Sequence, residues 1–154
     1  DAPGGTGEIA ELVCNVDDMT PEALSYACAR LLEAEALDVY TTPGVMKKGR
    51  PGHVLTVLCD PAMEEQMARA VLRETATNGL RARRWGKYFL TPGRETADTP
   101  FGPIRIKTAQ GWDIFHRKPE YDDVAAAARR AGVPFARVWE AALTKNKQEE
   151  SSHE

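Results

Sequence analysis

The segment Val54–Cys59, Val-Leu-Thr-Val-Leu-Cys, is apolar on both faces that a β-strand presents. Such a strand needs cover above and below, which places it in the middle of a sheet. The flanking segments supply its neighbours. Glu8–Val16 reads as a first strand, with Leu12, Cys14 and Val16 on one face. Thr20 is a natural N-cap, Pro21 fits the first helical position, and Glu22 suits the first-turn dipole of a helix. Leu24, Cys28, Leu31 and Leu32 follow at helical spacing. Leu37–Thr42 reads as a second strand. Pro61 opens a second helix whose stripe is Met63, Met67, Ala70 and Val71, with Gly79 predicted to end it in the left-handed conformation. Leu80–Leu90, dense in arginine, is the fourth strand.

The order βαββαβ is that of an α+β, ferredoxin-like split βαβ fold, with strands one and three central and strands two and four at the edges. Arg81, Arg83 and Arg84 then lie on an edge, where cations discourage stray pairing between chains. Beyond Leu90, Arg94–Ala97 and Ile104–Lys107 flank the turn Thr99-Pro100-Phe101-Gly102 and predict a hairpin. A short strand is expected at Trp112–His116. A helix from Pro119 to about Ala131 follows, carrying Tyr121, Val124, Ala128 and Ala131 on one side and stopped by Gly132. The last helix starts at Pro134 and carries Phe135, Val138, Trp139, Ala142 and Leu143. The expected organisation is a linker over 1–7, a ferredoxin-like core over 8–90, and a hairpin with two helices over 91–144 in the same domain. A polar, disordered tail over 145–154 ends it.

Composition narrows the function. A net charge of −3 argues against broad adhesion to nucleic acid or membrane. No run of about 18 apolar residues occurs, and no signal peptide is recognisable. These point to a cytoplasmic protein. The opening at Asp1, in a Pro/Gly-rich lead, reads as a piece of a longer chain. Cys14, Cys28 and Cys59 are scattered in apolar patterns with no Cys-x-x-Cys, so they read as reduced core residues. His53, His116 and His153 are too scattered for a histidine metal site.

Two segments bear on chemistry. Met46–Gly52, Met-Lys-Lys-Gly-Arg-Pro-Gly, sets Lys47, Lys48 and Arg50 among Gly49, Pro51 and Gly52. Cations together with open backbone suit a polyphosphate, lysine as point charge and arginine as bidentate fork. A solvated loop is the plain alternative. Asp17 and Asp18 sit between the first strand and first helix, where paired carboxylates can hold a hard divalent ion or, more plainly, be solvated and help cap the helix. Arg73–Arg81, Arg-Glu-Thr-Ala-Thr-Asn-Gly-Leu-Arg, combines cations and hydroxyls, although Thr75 and Thr77 also suit a helix end. Lys118–Asp123, Lys-Pro-Glu-Tyr-Asp-Asp, places acids at a helix start, where the dipole favours them.

These segments, in this order, resemble the signature of the C-terminal domain of the LarC family of nickel insertion proteins, the pyridinium-3,5-bisthiocarboxylic acid mononucleotide nickel chelatases. The resemblance runs from about Glu8 to Ala142. It implies an enzyme, a CTP-dependent chelatase or cyclometallase of the lyase class. That enzyme inserts nickel into the mononucleotide to make the nickel-pincer cofactor of lactate racemase. It further implies CTP with Mn²⁺ or Mg²⁺, a homo-oligomer (trimer or hexamer), and an N-terminal domain of the same protein as partner. On the matching positions, Lys47, Lys48, Gly49, Arg50 and Gly52 would hold the triphosphate, and Arg73, Thr75 and Arg81 would add nucleotide contacts. Asp17 and Asp18 would hold the metal. No residue is assigned to take the pyridinium proton. Cys14 stands where the family pattern has a hydroxyl residue.

A different class is a non-catalytic ferredoxin-like module that senses a ligand or drives oligomerisation, which fold alone does not separate from an enzyme. A single-strand RNA module calls for aromatics on the central strands. Glu8–Val16 and Val54–Cys59 have none.

Overall fold

A computed structural model of the chain describes residues 4–144. They fall into two compact units, one being Thr6–Lys87 and the other the remainder of the described chain.

The first unit is built on β1 (Gly5–Val16), α1 (Pro21–Glu33), β2 (Asp38–Val45), β3 (Pro51–Cys59), α2 (Glu64–Glu74) and β4 (Arg81–Phe89). The sheet order is β2-β3-β1-β4, with β3 antiparallel to both of its neighbours. This is the ferredoxin-like arrangement, and the apolar strand is interior as its sequence requires. Leu12, Cys14 and Val16 of β1 and Leu55, Val57 and Cys59 of β3 form one buried layer with Leu31, Met67 and Val71 from the helices. Burying each large side chain of this layer contributes roughly 1.5–3 kcal/mol.

The Thr20 hydroxyl accepts the Ala23 N–H at 3.2 Å, so α1 is capped as expected. Leu32, expected on the buried stripe, is 50% exposed, and Ala27 packs inward in its place. The end of α2 also differs. It stops at Glu74, where the Thr75 hydroxyl and N–H both donate to the Val71 carbonyl. A hydroxyl competing for a last-turn carbonyl ends the helix before Gly79 is reached. Strand β2 continues through Pro43 to Val45. A proline reads as a breaker, but an edge strand tolerates it because one side of its backbone needs no ladder partner.

The second unit holds β5 (Thr91–Thr99), β6 (Gly102–Gly111), β7 (Ile114–Pro119), α3 (Tyr121–Ala131) and α4 (Phe135–Leu143). The three strands pair antiparallel in the order β5-β6-β7. The predicted hairpin is present and longer than expected, its turn held by the Thr99 hydroxyl, which donates to the Gly102 carbonyl at 2.7 Å. Trp112, expected to begin a strand, sits before β7 with φ 52°. Ile104 and Ile106 pack beneath Val124, Ala127 and Ala128 of α3 and Val138 and Ala142 of α4. Gly132 ends α3 at φ 65°, as predicted. Tyr121, expected on the buried side, is 63% exposed beside Phe135. The polar tail expected over 145–154 lies outside the described residues.

Candidate functional site

The basic loop closes the β2–β3 hairpin, in which Val45 faces Pro51. Inside it the Met46 N–H donates to the Arg50 carbonyl at 2.7 Å. Lys47–Gly49 makes one tight turn in which Lys48 (φ 61°) and Gly49 (φ 69°) are both left-handed. Glycine adopts that conformation freely, whereas a lysine there carries about 1–2 kcal/mol of strain. The strain turns an exposed lysine into a fixed position next to open backbone.

Gly52 permits the closest approach in this region. A Cβ placed there would meet the Val16 carbonyl oxygen at 2.9 Å and the Asp17 Cβ at 3.1 Å. The start of β3 therefore lies directly against the elbow that follows β1. Arg50 Nη1 stands 3.9 Å from Asp17 Oδ2, an ion pair too long for a hydrogen bond and half open to water. Asp18, Lys47 and Lys48 are exposed. The acidic elbow and the basic loop thus share one end of the sheet.

A third segment reaches the same end. The Met19 sulfur accepts the Ala76 N–H at 3.3 Å, joining the elbow to the turn after α2. Within that turn the Thr77 N–H donates to the Thr75 hydroxyl, and the Thr77 hydroxyl donates to the Gly79 carbonyl. Burial pushes the Cys14 thiol up from its ordinary value, while the Thr77 hydroxyl and the Arg81 charge beside it pull it back. Burial likewise raises Cys28 and Cys59, the latter aided by Glu64 and Asp60. Cys14 and Cys59 are buried in the core, and Cys28 packs against it, half-buried.

The expected site residues therefore separate into groups. Asp17, Arg50 and Gly52 meet, and Asp18, Lys47, Lys48 and Gly49 lie on the same two segments. Thr75 is engaged within its own turn. Arg81 lines a depression of about 270 Å³ with Glu11, Val13, Thr56 and Arg83 on the sheet face opposite the core. Arg73 lines a different groove, beside Gln66 and Arg69 of α2 and Ala34. Sequence reasoning missed Met19 and the left-handed Lys48. The Lys-Gly pair at a hairpin end was the available signal for the latter.

In the second unit, Asp123 of the Lys118–Asp123 segment has a structural role. Asp123 accepts from the Arg105 N–H, Nε and Nη2 at 2.7–2.9 Å. These bonds hold its carboxyl down at about 2.

Among the described residues, no three His, Cys, Asp or Glu side chains stand close enough to hold a metal ion between them. Asp17 and Asp18 supply oxygen donors suited to Mg²⁺ or Mn²⁺, and an ion there would complete its shell with water and phosphate oxygens.

The profile of the nickel insertion protein family matches residues 2–139. A pyridinium-3,5-bisthiocarboxylic acid mononucleotide nickel insertion protein of Acetivibrio thermocellus is 41% identical over 134 residues, covering 87% of this chain and 33% of that protein. A protein of the same description from Lactiplantibacillus plantarum is 40% identical, covering 84% and 31%. The chain thus spans about a third of the length of these curated relatives. Among solved structures, the apo C-terminal domain of a cyclometallase involved in synthesis of the NPN cofactor of lactate racemase matches with a TM-score of 0.79. It is 37% identical, covering 90% of this chain and 96% of that one. A protein of Methanopyrus kandleri matches with a TM-score of 0.72 at 28% identity, covering 88% and 86%.

Proposed function

Because the chain belongs to the nickel insertion protein family, we propose that it is the CTP- and divalent-metal-binding domain of a nickel chelatase. That enzyme would insert nickel into pyridinium-3,5-bisthiocarboxylic acid mononucleotide, with nickel and the mononucleotide as substrates. The observation that carries the reading is the loose pair of Arg50 and Asp17, 3.9 Å apart at one end of the sheet with Lys47 and Lys48 beside them. A metal–triphosphate satisfies both halves of such a pair at once. Its phosphate oxygens take the guanidinium fork and the lysine charges, and its cation takes the carboxylates.

Lys47, Lys48 and Arg50 would bind the triphosphate beside the exposed backbone of Gly49, while Gly52, buried against the Val16 carbonyl, would act by bringing the loop up to the elbow. At an effective dielectric near 20, a cation about 4 Å from a phosphate charge contributes roughly 4 kcal/mol before desolvation. Asp17 and Asp18 would hold the Mg²⁺ or Mn²⁺, which offsets phosphate charge and fixes the geometry of the tail. Arg81, at the start of β4 in the depression on the open sheet face, would meet the ribose or base side. Thr75 would act by shaping the turn, and Arg73 would lie outside the immediate contacts. The N-terminal domain of the full protein would supply the remaining site, in a cytoplasmic homo-oligomer.

Calorimetric titration with CTP in the presence of Mn²⁺ tests this. Lys47→Ala with Lys48→Ala is expected to weaken binding at least tenfold. Unchanged affinity in a folded double variant would remove the phosphate-loop assignment.

A further inference from the structure

The open face of the β5-β6-β7 sheet carries a row of cations that the fold does not need. Strand pairing sets Arg94 directly opposite Lys107, and Lys107 directly opposite Lys118. Alternation along β6 puts this row on the face away from Ile104 and Ile106, which face the helices. All three side chains are exposed. Lys107 has one loose acidic neighbour, Glu120, at 3.5 Å. Among the described residues, no ion pair joins an acid to Arg94 or Lys118. Like charges directly across a ladder oppose folding. Arg105, next along the same face, shows how such a charge is ordinarily settled, for Asp123 holds it in a fork.

Neighbouring strands lie about 4.8 Å apart, so the row places three positive groups over roughly 10 Å. Beside it is a depression of about 230 Å³ lined by Arg94, Glu95, Thr96, Arg105, Ile106 and Glu120. Glu120 and Asp123 bound the row at its edge, and the chain is net negative. Those features disfavour a long polyanion and suit a small molecule with several anionic groups around a ring-sized body. A mononucleotide whose aromatic ring bears carboxylate-type groups has that form.

We infer that the Arg94–Lys107–Lys118 row binds such a mononucleotide through its ring anions and phosphate, in a site separate from the Lys47–Gly52 loop. The choice of ligand class rests on the family reading above, whereas the site rests on strand register.

Two probes differ at the ring substituent alone: nicotinate mononucleotide carries a ring carboxylate, and nicotinamide mononucleotide an uncharged amide. Calorimetry on this chain at low salt should find the acid about tenfold tighter, the value of one charge-assisted contact. That gap should close in Lys107→Gln with Lys118→Gln, and separately in Arg94→Gln. Neutralising self-repelling charges is expected to leave the melting temperature level or raised, so both variants should be folded. CTP affinity should be unchanged in them. Equal affinity for the two probes, or a gap that survives in the folded variants, overturns the proposal. If instead the gap behaves as expected while CTP binding ignores Lys47→Ala with Lys48→Ala, the row stands and the phosphate-loop assignment alone falls.

Discussion

The sulfur of Met19 accepts the backbone N–H of Ala76 at 3.3 Å, tying the elbow after β1 to the turn after α2. Sulfur is a weak acceptor and the site is exposed, so the bond itself contributes little to stability. Its effect is on position. Met19→Leu keeps the bulk and removes the acceptor. It is expected to cost under about 1 kcal/mol in urea unfolding while lowering CTP–Mn²⁺ affinity severalfold. A variant with unaltered affinity would show that the elbow holds its shape without this link.

Lys48 carries left-handed strain at φ 61°. Lys48→Gly releases it, so the variant should be more stable by about 0.5–1 kcal/mol. The same change removes a cation from the loop, and nucleotide affinity should fall about tenfold. Stability and binding moving in opposite directions, by thermal unfolding and calorimetry on one preparation, is the expected signature.

Gly52 leaves no room for a methyl group, since its Cβ would sit 2.9 Å from the Val16 carbonyl oxygen. Gly52→Ala should cost about 1–3 kcal/mol by forcing β3 away from β1. Gly49 has nothing within 4 Å of its Cβ position and φ +69°, so Gly49→Ala should cost about 1 kcal/mol through backbone strain alone. Denaturant melts of the two variants, side by side, separate collision from conformation.

Asp123 gives an acid-limb prediction. Its folded-state carboxyl titrates at about 2, held down first by the Arg105 side-chain bonds and then by the Arg105 N–H. A carboxyl lowered by folding stabilises above its unfolded value, near 3.9, and that contribution is lost as pH falls toward 2. Discounting for solvent screening, Asp123→Asn should lose about 1 kcal/mol at pH 7. The difference from the parent chain should shrink between pH 4 and pH 2. A constant gap across that range would show that the carboxylate charge is not what stabilises the contact.

Much of the first unit was legible because its signals are local. The apolar run Val54–Cys59 could only be interior, and Thr20-Pro21 and Gly132 bound their helices by capping chemistry. The gathering of Asp17 with Lys47–Gly52 followed from topology, because in this strand order the end of β1 and the start of β3 are neighbours. What could not be read were features set by distant partners. The Arg94–Lys107–Lys118 row exists only through a strand register that spans two turns. Leu32 fell on the apparent stripe of α1 yet faces outward, as helical spacing does not say how wide a face the sheet covers. The end of α2 turned on one hydroxyl, where Gly79 was the louder letter.

The interior place of β3 has a consequence for how ligands engage the chain. Its first residues close the basic loop, and its remainder is zipped on both sides by β1 and β2. Arg50 directly precedes this doubly paired strand, so its backbone is anchored on one side before any anion arrives. Amide exchange in β3 should track global unfolding, so a ligand meeting the loop would find its base already held before binding.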